Sequence, residues 1–99
     1  MNISSQFKLN QNYPNPFNPI TKFSYELPTL KSSYNVVIKI FDLRGELVQL
    51  LDNSTKSPGI YFIEWNALDM NGQTVPNGVY FYTIQTDKFT ETKKMLLLK

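Results

Sequence analysis

Hydrophobic and polar residues alternate along most of the chain with a period of two residues. In the clearest case, Phe23, Tyr25 and Leu27 share one face of an extended segment, and polar residues occupy the other face. A period of two is typical of half-buried β-strands. The clearest predicted strands cover residues 23–27, 36–41, 46–51, 60–65, 78–84 and 89–98.

Turn-forming segments separate these predicted strands. Residues 42–45 and 69–72 each combine an Asp with a Gly, and Gly adopts the positive φ angles of tight turns without steric cost. Residues 86–88 form a short hairpin connection, and the polar residues 52–59 are predicted to form a loop. About seven short strands at ~10-residue spacing, with no helical segment, are typical of an immunoglobulin-like sandwich. We therefore predict an all-β fold, an antiparallel β-sandwich of this type.

A segment rich in Pro and Asn precedes the first strand. Residues 11–19 contain three Pro and three Asn, which excludes a helix because Pro lacks a backbone donor and restricts the preceding residue. We expect an extended lead-in and linker over residues 1–19 and the sandwich over residues 20–99. Tyr13 and Phe17 are expected to pack against the sandwich, since two bare aromatic rings on a mobile tail would leave apolar surface exposed.

Two further aromatic residues occupy positions typical of this fold. Tyr80 lies near the start of a late strand, shortly after a turn at residues 76–77. This is the position of a tyrosine corner, in which the Tyr hydroxyl bonds to backbone a few residues upstream. Trp65 is expected in the core.

The composition excludes several classes of function. The chain has 99 residues, which suits one compact domain, and it contains no Cys and no His. Thiol catalysis, disulfides, the usual zinc ligand sets and the commonest general base are therefore ruled out. The formal net charge is +2 with dispersed basic residues, whereas nucleic-acid binding usually shows a clustered basic stripe. No apolar run approaches the ~20 residues of a membrane span.

Carboxylates are the remaining candidates for catalysis or metal binding. They fall mostly in predicted turns, where Asp bonds local backbone, and no opposed pair of the glycosidase kind is predicted. Residues 69–72 are similar to a fragment of a calcium loop, but the further oxygen ligands do not follow in register. We therefore predict no enzyme activity, no catalytic residue, no cofactor and no metal site.

The order and spacing of several motifs resemble one known family, the type A C-terminal sorting domains of the type IX (Por) secretion system. The resemblance extends from residue 9 to residue 99 and departs at Glu46, where relatives commonly have Arg. No single motif would carry it, but the ordered set is specific. The motifs are LNQNYPNPFNPIT at 9–21, FSYELP at 23–28, VVIKIFDLRG at 36–45, GIYFIEW at 59–65, DMNG at 69–72, VPNGVYFY at 75–82 and TKKMLLLK at 92–99.

The resemblance implies a non-catalytic address tag at the C-terminus of a secreted or cell-surface protein. A cargo attached on the N-terminal side would reach the periplasm by a separate signal. The outer-membrane translocon would then recognise the folded domain, and a sortase-type protease would remove it. No nucleic-acid partner and no direct membrane span are expected. The residues expected to be recognised, on the last strand and the strand before it, are Gly78, Val79, Tyr80, Phe81, Tyr82, Lys93, Lys94, Met95, Leu97 and Lys99.

Two alternative functions stay open at this point. The first is a carbohydrate-binding module of a secreted enzyme, because exposed aromatic rings can pack on sugars. The second is a structural immunoglobulin-like accessory module or spacer, as in the flagellar-hook scaffolding protein. The aromatic residues at predicted outer or loop positions are Tyr34, Phe41, Phe62 and Phe81.

Overall fold

The structure, a computed structural model, describes residues 6–99 as a two-sheet β-sandwich. No helix occurs in that range. The sheets are antiparallel, with strand orders β1-β2-β5 and β4-β3-β6-β7, which confirms the predicted all-β, immunoglobulin-like fold. The strands are β1 (Lys8–Leu9), β2 (Thr21–Leu27), β3 (Tyr34–Asp42), β4 (Leu47–Lys56), β5 (Gly59–Trp65), β6 (Gly78–Gln85) and β7 (Thr90–Leu97).

The core lies between the sheets, where the alternating apolar residues face each other. Phe23, Tyr25 and Leu27 of β2 are buried, as is Trp65 at the end of β5, which confirms its predicted place. Burying a large apolar side chain stabilises the fold by roughly 1.5–3 kcal/mol, so the alternation determines which face of each strand turns inward. The buried apolar residues of the four-stranded sheet are Tyr34, Val36, Ile38, Ile40, Tyr80, Tyr82, Ile84, Met95 and Leu97.

The turns at residues 42–45 and 69–72 share one pattern of hydrogen bonds. In each turn the Asp Oδ1 accepts bonds from the amides two and four residues later, at 2.9 and 3.0 Å. The Asp amide donates to the carbonyl four residues on, at 2.9 Å for Asp42 and 2.8 Å for Asp69. The closing Gly residues have φ angles of 86° and 80°, which other residues rarely adopt. The repeated D-x-x-G pattern therefore encodes the same turn twice.

The prediction of a loop over residues 52–59 is wrong for most of that range. β4 continues to Lys56, which pairs with Tyr34 of β3. β4 is an edge strand, so its polar side chains reach solvent while its backbone keeps one set of ladder bonds. Its register with β3 also shifts at two places, and such bulges interrupt the period of two on which the prediction relied.

The lead-in folds onto the sandwich. It contributes β1, and Phe17 is buried beside Trp65 with their ring centroids 5.8 Å apart. The expectation for Phe17 is confirmed, but that for the Tyr13 side chain is wrong, because this ring is 81% exposed. Tyr13 is held by its backbone, which exchanges bonds of 2.7 and 3.0 Å with Lys22. Residues 1–5, the start of the predicted linker, lie outside the described residues.

The peptide bonds preceding Pro14, Pro16 and Pro19 are cis.

A buried hydrogen-bond network fastens the lead-in to β6. The Tyr82 hydroxyl accepts a bond from the Asn12 amide and donates one to the Asn10 carbonyl, both at 2.8 Å. The Asn12 side chain donates to the Thr21 hydroxyl at 3.0 Å and to the Pro14 carbonyl at 3.2 Å. Leaving a buried polar group without a partner costs about 1–3 kcal/mol, so this network specifies one position for the lead-in.

Two other tyrosine hydroxyls bond to nearby backbone. The Tyr80 hydroxyl donates to the Pro76 carbonyl at 2.6 Å, which confirms the tyrosine corner. Tyr34, expected on the outside, is buried instead, and its hydroxyl donates to the Pro28 carbonyl at 2.8 Å. Tyr34 lies two residues before Val36 in β3, and the period of two therefore places both on the inward face.

We expect Tyr82→Phe to lower the free energy of unfolding by about 1–3 kcal/mol, because the buried Asn12 amide would lose its acceptor and the partly buried Asn10 carbonyl would lose its donor. Thermal unfolding followed by near-UV circular dichroism measures the loss. Tyr13→Phe is the matched control, and its Tm should not change because the ring is 81% exposed. Equal Tm values for Tyr82→Phe and the unmodified chain would contradict the role of this hydroxyl.

The same residue predicts a response to alkaline pH. Burial raises the pKa of Tyr82 from 10.0 to about 12. Between these values the unfolded chain loses the phenolic proton while the folded chain retains it. The stability that this group contributes is thus complete below pH 10.0 and is lost as the pH rises towards 12. Urea unfolding at a series of pH values should show a steeper alkaline loss for the unmodified chain than for Tyr82→Phe, and parallel curves would refute the assignment.

Candidate recognition surface

The segments predicted to be recognised form one end of the β6–β7 hairpin. Gly78 pairs with Leu97, and Tyr82 pairs with Lys93, so the two segments lie side by side. The Lys99 amide donates to the Asn77 side-chain oxygen at 3.0 Å, which ties the last residue to the turn before β6. All ten candidate residues therefore belong to one local unit of the fold.

The candidate residues do not share one face. Tyr80, Tyr82, Met95 and Leu97 point into the core and are at most 4% exposed, so they can affect a partner only by supporting the fold. Lys93 lies at the margin of this inner face, with Nζ 3.5 Å from the carboxylate of Glu91. The candidates that remain at the surface on the outer face or at the end of the hairpin are Gly78, Val79, Phe81, Lys94 and Lys99.

An apolar patch covers one half of the outer face of the four-stranded sheet. Phe41 lies opposite both Phe81 and Leu47, and Val79 lies opposite Leu96. We call these five residues the outer patch. They are half-buried apart from Leu47, which is 47% exposed.

In the other half of the same face, the outward residues of β6 and β7 are polar. Lys39 lies opposite Thr83, and Thr83 lies opposite Thr92, with the two threonine hydroxyls 3.0 Å apart. The outer patch is therefore confined to one end of this sheet.

A groove adjoins the outer patch at this end of the sandwich. It has a volume of about 660 Å³ and is bounded by the two D-x-x-G turns and by residues 75–80. Leu43 and Met70 stand on its rim and are 70% and 59% exposed, while Leu47 and Val79 belong to both the groove and the outer patch. The two features thus form one continuous apolar surface.

The carboxylates of the groove are engaged in local bonds. The Glu46 amide, together with the Arg44 amide and guanidinium, holds the pKa of the Asp42 carboxyl below its ordinary value against a smaller opposing effect of burial. Asp69, the first residue of the segment similar to a calcium loop, uses Oδ1 to cap its own turn. Among residues 6–99, no group of three or more acidic, His or Cys side chains is placed to hold a metal ion.

The apolar surface and the start of the lead-in lie at opposite ends of a domain 40 Å long. Phe7 stacks on Phe89 with ring centroids 4.9 Å apart and contacts the edge of Tyr34 at 5.2 Å. Tyr34 begins β3, whereas Asp42 ends it beside the groove. We call the Phe7 end the cargo pole and the groove end the distal pole.

The lead-in occupies part of the outer edge of β7. The Phe17 amide donates to the Leu96 carbonyl at 2.9 Å, and the Phe17 carbonyl accepts a bond from the Leu98 amide at 3.0 Å. The Asn15 side-chain oxygen accepts from the Leu96 amide at 3.0 Å, and the Gln11 side chain donates to the Lys94 carbonyl at 2.8 Å. A partner strand cannot add to this stretch of β7 while the lead-in is in place.

Sequence reasoning missed several residues of this surface. The sequence shows that Leu47 and Leu96 alternate with inward residues, as Phe41 and Phe81 do. It does not show which residues lie opposite them on the neighbouring strands. Leu43 and Met70 each follow the Asp of a D-x-x-G turn. The repeat of the D-x-x-G pattern can be seen in the sequence. The sequence does not show that the two turns lie close together in the fold.

These features define an immunoglobulin-like domain with a surface suited to protein recognition. A family model described as a secretion system C-terminal sorting domain matches residues 11–98. The chain belongs to this family, which confirms the resemblance, and the domain is a type IX C-terminal sorting signal whose cargo is a secreted or cell-surface protein. In the described part of the chain, no helix has the length and hydropathy needed to cross a membrane.

Solved structures with the same sandwich include two proteins of Porphyromonas gingivalis. Dimeric latent PorU is 24% identical with a TM-score of 0.72, and the match covers 93% of this chain and 9% of PorU. PorZ, an essential surface component of the type IX secretion system, is 21% identical with a TM-score of 0.61, covering 90% of this chain and 11% of PorZ. At these identities the likeness shows the fold alone, and this chain spans about a tenth of either protein.

The sandwich also occurs in FlgD of Pseudomonas aeruginosa. That protein is 28% identical with a TM-score of 0.59, and the match covers 79% of this chain and 59% of FlgD. No curated protein sequence shows significant similarity to the chain.

We expect Asn15→Ala to expose the β7 edge locally. The Leu96 amide would lose its partner, so its hydrogen exchange should become faster, while the Leu98 amide, bonded to the Phe17 carbonyl, should remain protected. The free energy of unfolding should fall by about 0.5–1.5 kcal/mol. Asn18→Ala, an exposed position in the same segment, is the control and should leave both amides unchanged. Unaltered exchange at Leu96 in Asn15→Ala would show that this bond does not protect the edge.

Proposed function

We propose that the outer-membrane translocon of the type IX system reads this domain at its distal pole, through the outer patch and the adjoining groove. Family membership assigns the domain to that machinery and to a cargo protein, and the choice of surface is the further step. A contiguous exposed apolar area on a small domain marks an interaction site more often than a solvated surface.

One observation carries this proposal: the apolar surface lies at the pole opposite to the start of the lead-in. Phe7 is at the cargo pole, whereas Gly78, Lys99 and the groove are at the distal pole. A cargo joined on the N-terminal side of Phe7 would therefore leave the distal pole accessible. In this arrangement a receptor can hold the domain without contacting the cargo, which fits a tag that serves many cargoes.

The domain itself acts as a passive signal in this proposal. Its role would need no catalytic residue, cofactor or metal of its own, and the sortase-type protease of the system would cut the chain on the N-terminal side of the sandwich. The pairing of β1 with β2 and the bonds of the lead-in to β6 and β7 support this, because they make residues 8–17 part of the folded unit and a poor substrate. The cut would then fall upstream of Lys8.

The carbohydrate-binding alternative receives no support from the ring positions. Tyr34 is buried, and Phe62 lies on the opposite sheet from Phe41 and Phe81. The four rings therefore do not form the coplanar row that a sugar-binding platform needs.

The test is an export assay with the full chain placed after a signal peptide and a fluorescent reporter. Export should occur in a strain with a working type IX system and not in a translocon-null strain. Phe81→Lys should reduce export about tenfold or more, because a charge in the centre of an apolar contact costs at least ~1.4 kcal/mol of binding. The purified variant should remain folded, since Phe81 faces outward, with a Tm lowered only slightly by the new Lys opposite Lys94.

Thr83→Lys is the matched control. It places the same charge on the same face of β6, two residues further along and in the polar half. Normal export of Thr83→Lys with loss for Phe81→Lys supports the outer patch. Normal export of both folded variants would rule it out as the surface that is read.

A further inference from the structure

Within residues 6–99, three of the four edge strands of the sandwich are protected, over all or part of their length, against pairing with another chain. β1 is only two residues long, and the lead-in covers part of β7. β4 has two register shifts, its Val48 carbonyl accepts a bond from the Met70 amide at 3.0 Å, and the Gln49 side chain bonds the same loop. Short strands, bulges and covering loops are the usual means by which proteins prevent edge-to-edge association.

The remaining edge, that of β5, has none of these devices within the described chain. β5 pairs with β2 in unbroken register from Gly59 opposite Leu27 to Trp65 opposite Thr21. On the other side of β2, Lys22 and Tyr13 exchange both of their backbone bonds, so the backbone groups of Lys22 point away from β5. Glu64 lies opposite Lys22, so its N–H and C=O groups point away from β2 in the same way. Because the direction of the backbone groups alternates along an antiparallel strand, those of Phe62 and Ile60 also point outward at the free edge.

The side chains of the same three residues are exposed. Ile60 is 57% and Phe62 is 76% exposed, and both lie on the outer face of the three-stranded sheet. Glu64 is exposed, and it forms no ion pair within 4.0 Å in the range 6–99, although Lys22 of β2 lies directly opposite it. The free edge thus offers unpaired backbone groups, a row of two apolar side chains and one exposed negative charge.

We propose that the β5 edge accepts an extended segment of a component of the export machinery as an additional strand. The inference rests on the proposed function for the identity of the partner, but the site itself is separate from the outer patch. The added strand pairs with the backbone of Ile60, Phe62 and Glu64. It carries apolar side chains beside Ile60 and Phe62 and a Lys or Arg beside Glu64, because opposite charges stabilise a cross-strand pair.

A second copy of this chain does not fit the edge equally well. Antiparallel pairing centred on Phe62 places Glu64 opposite Ile60 of the copy, where the charge finds no partner. Pairing centred on Tyr61 places Glu64 opposite Pro58 of the copy, which has no N–H to donate. A foreign strand with a basic residue at that position satisfies all three edge residues.

The first test does not depend on export. The chain is titrated with the synthetic peptide acetyl-Thr-Lys-Thr-Val-Thr-Val-Thr-amide, whose antiparallel pairing brings its Lys beside Glu64 and its Val residues beside Phe62 and Ile60. Amide resonances of Ile60, Phe62 and Glu64 should shift and their hydrogen exchange should slow. The same peptide with Glu in place of Lys should bind at least about tenfold more weakly. Absence of changes at these amides with the Lys peptide would overturn the proposal.

The second test uses the export assay described above. Phe62→Pro removes an outward N–H without removing a bond to β2, a position where an edge strand accepts Pro. Export should fall about tenfold or more, and Phe62→Thr, which keeps the N–H, should lose less. Thr92→Pro is the control, and its export should be normal. The backbone groups of Lys94 and Leu96 bond the lead-in at the outer edge of β7, and the same alternation places the Thr92 N–H at that edge.

The outcomes separate the two proposals. Normal export of folded Phe62→Pro overturns the β5 site while leaving the outer patch to be judged by Phe81→Lys. If Phe62→Pro has a lowered Tm, Glu64→Gln decides, because it removes the charge of this exposed residue without placing a like charge opposite Lys22. Reduced export then supports the site, and normal export overturns it. If the unmodified chain itself is not exported, the function proposed above fails, and the peptide titration alone decides the β5 edge.

Discussion

The hydroxyl group of Tyr82 is buried between β6 and the lead-in, where it accepts a bond from the Asn12 amide and donates one to the Asn10 carbonyl. These bonds join residues about seventy positions apart and place the lead-in on the sandwich. From there, Phe17 enters the core and its backbone pairs with β7. The bonds that the lead-in makes to the end of β7 therefore depend on the position that Tyr82 gives to residues 10–12.

The alternating pattern of the sequence was sufficient to predict most of the fold, because each inward residue of β2, β3 and β6 faces a core that only one register can fill. The pattern failed to predict strands where burial does not impose a period of two. The second half of β4 is polar because it lies at an edge, and β1 is too short to show a period. Tyr13 was misplaced because its backbone, not its ring, makes the contact.

The recognition surface was only partly predictable for a related reason. Sequence separates inward from outward positions, so Phe81 was placed correctly on the outer face. It does not reveal that Phe41, Leu47 and Leu96 lie beside Phe81 and Val79, because that depends on cross-strand register and on the bulges of β4. The free edge of β5 is even harder to predict from the sequence. Its exposure follows from which strands are neighbours, and from the absence of the protection that the lead-in gives to β7.

The path of the lead-in has a mechanical consequence. The chain enters at the cargo pole, and at the distal pole its backbone runs parallel to β7, which ends there. A tension applied between the cargo and a grip on the end of β7 would pull these neighbouring segments along their length in opposite directions. The bonds of Phe17 to Leu96 and Leu98, with that of Asn15, would then bear the load together, in shear, and not break one after another. A pull from the Phe7 end against the end of β7 would thus meet the most resistant arrangement that these few bonds can form.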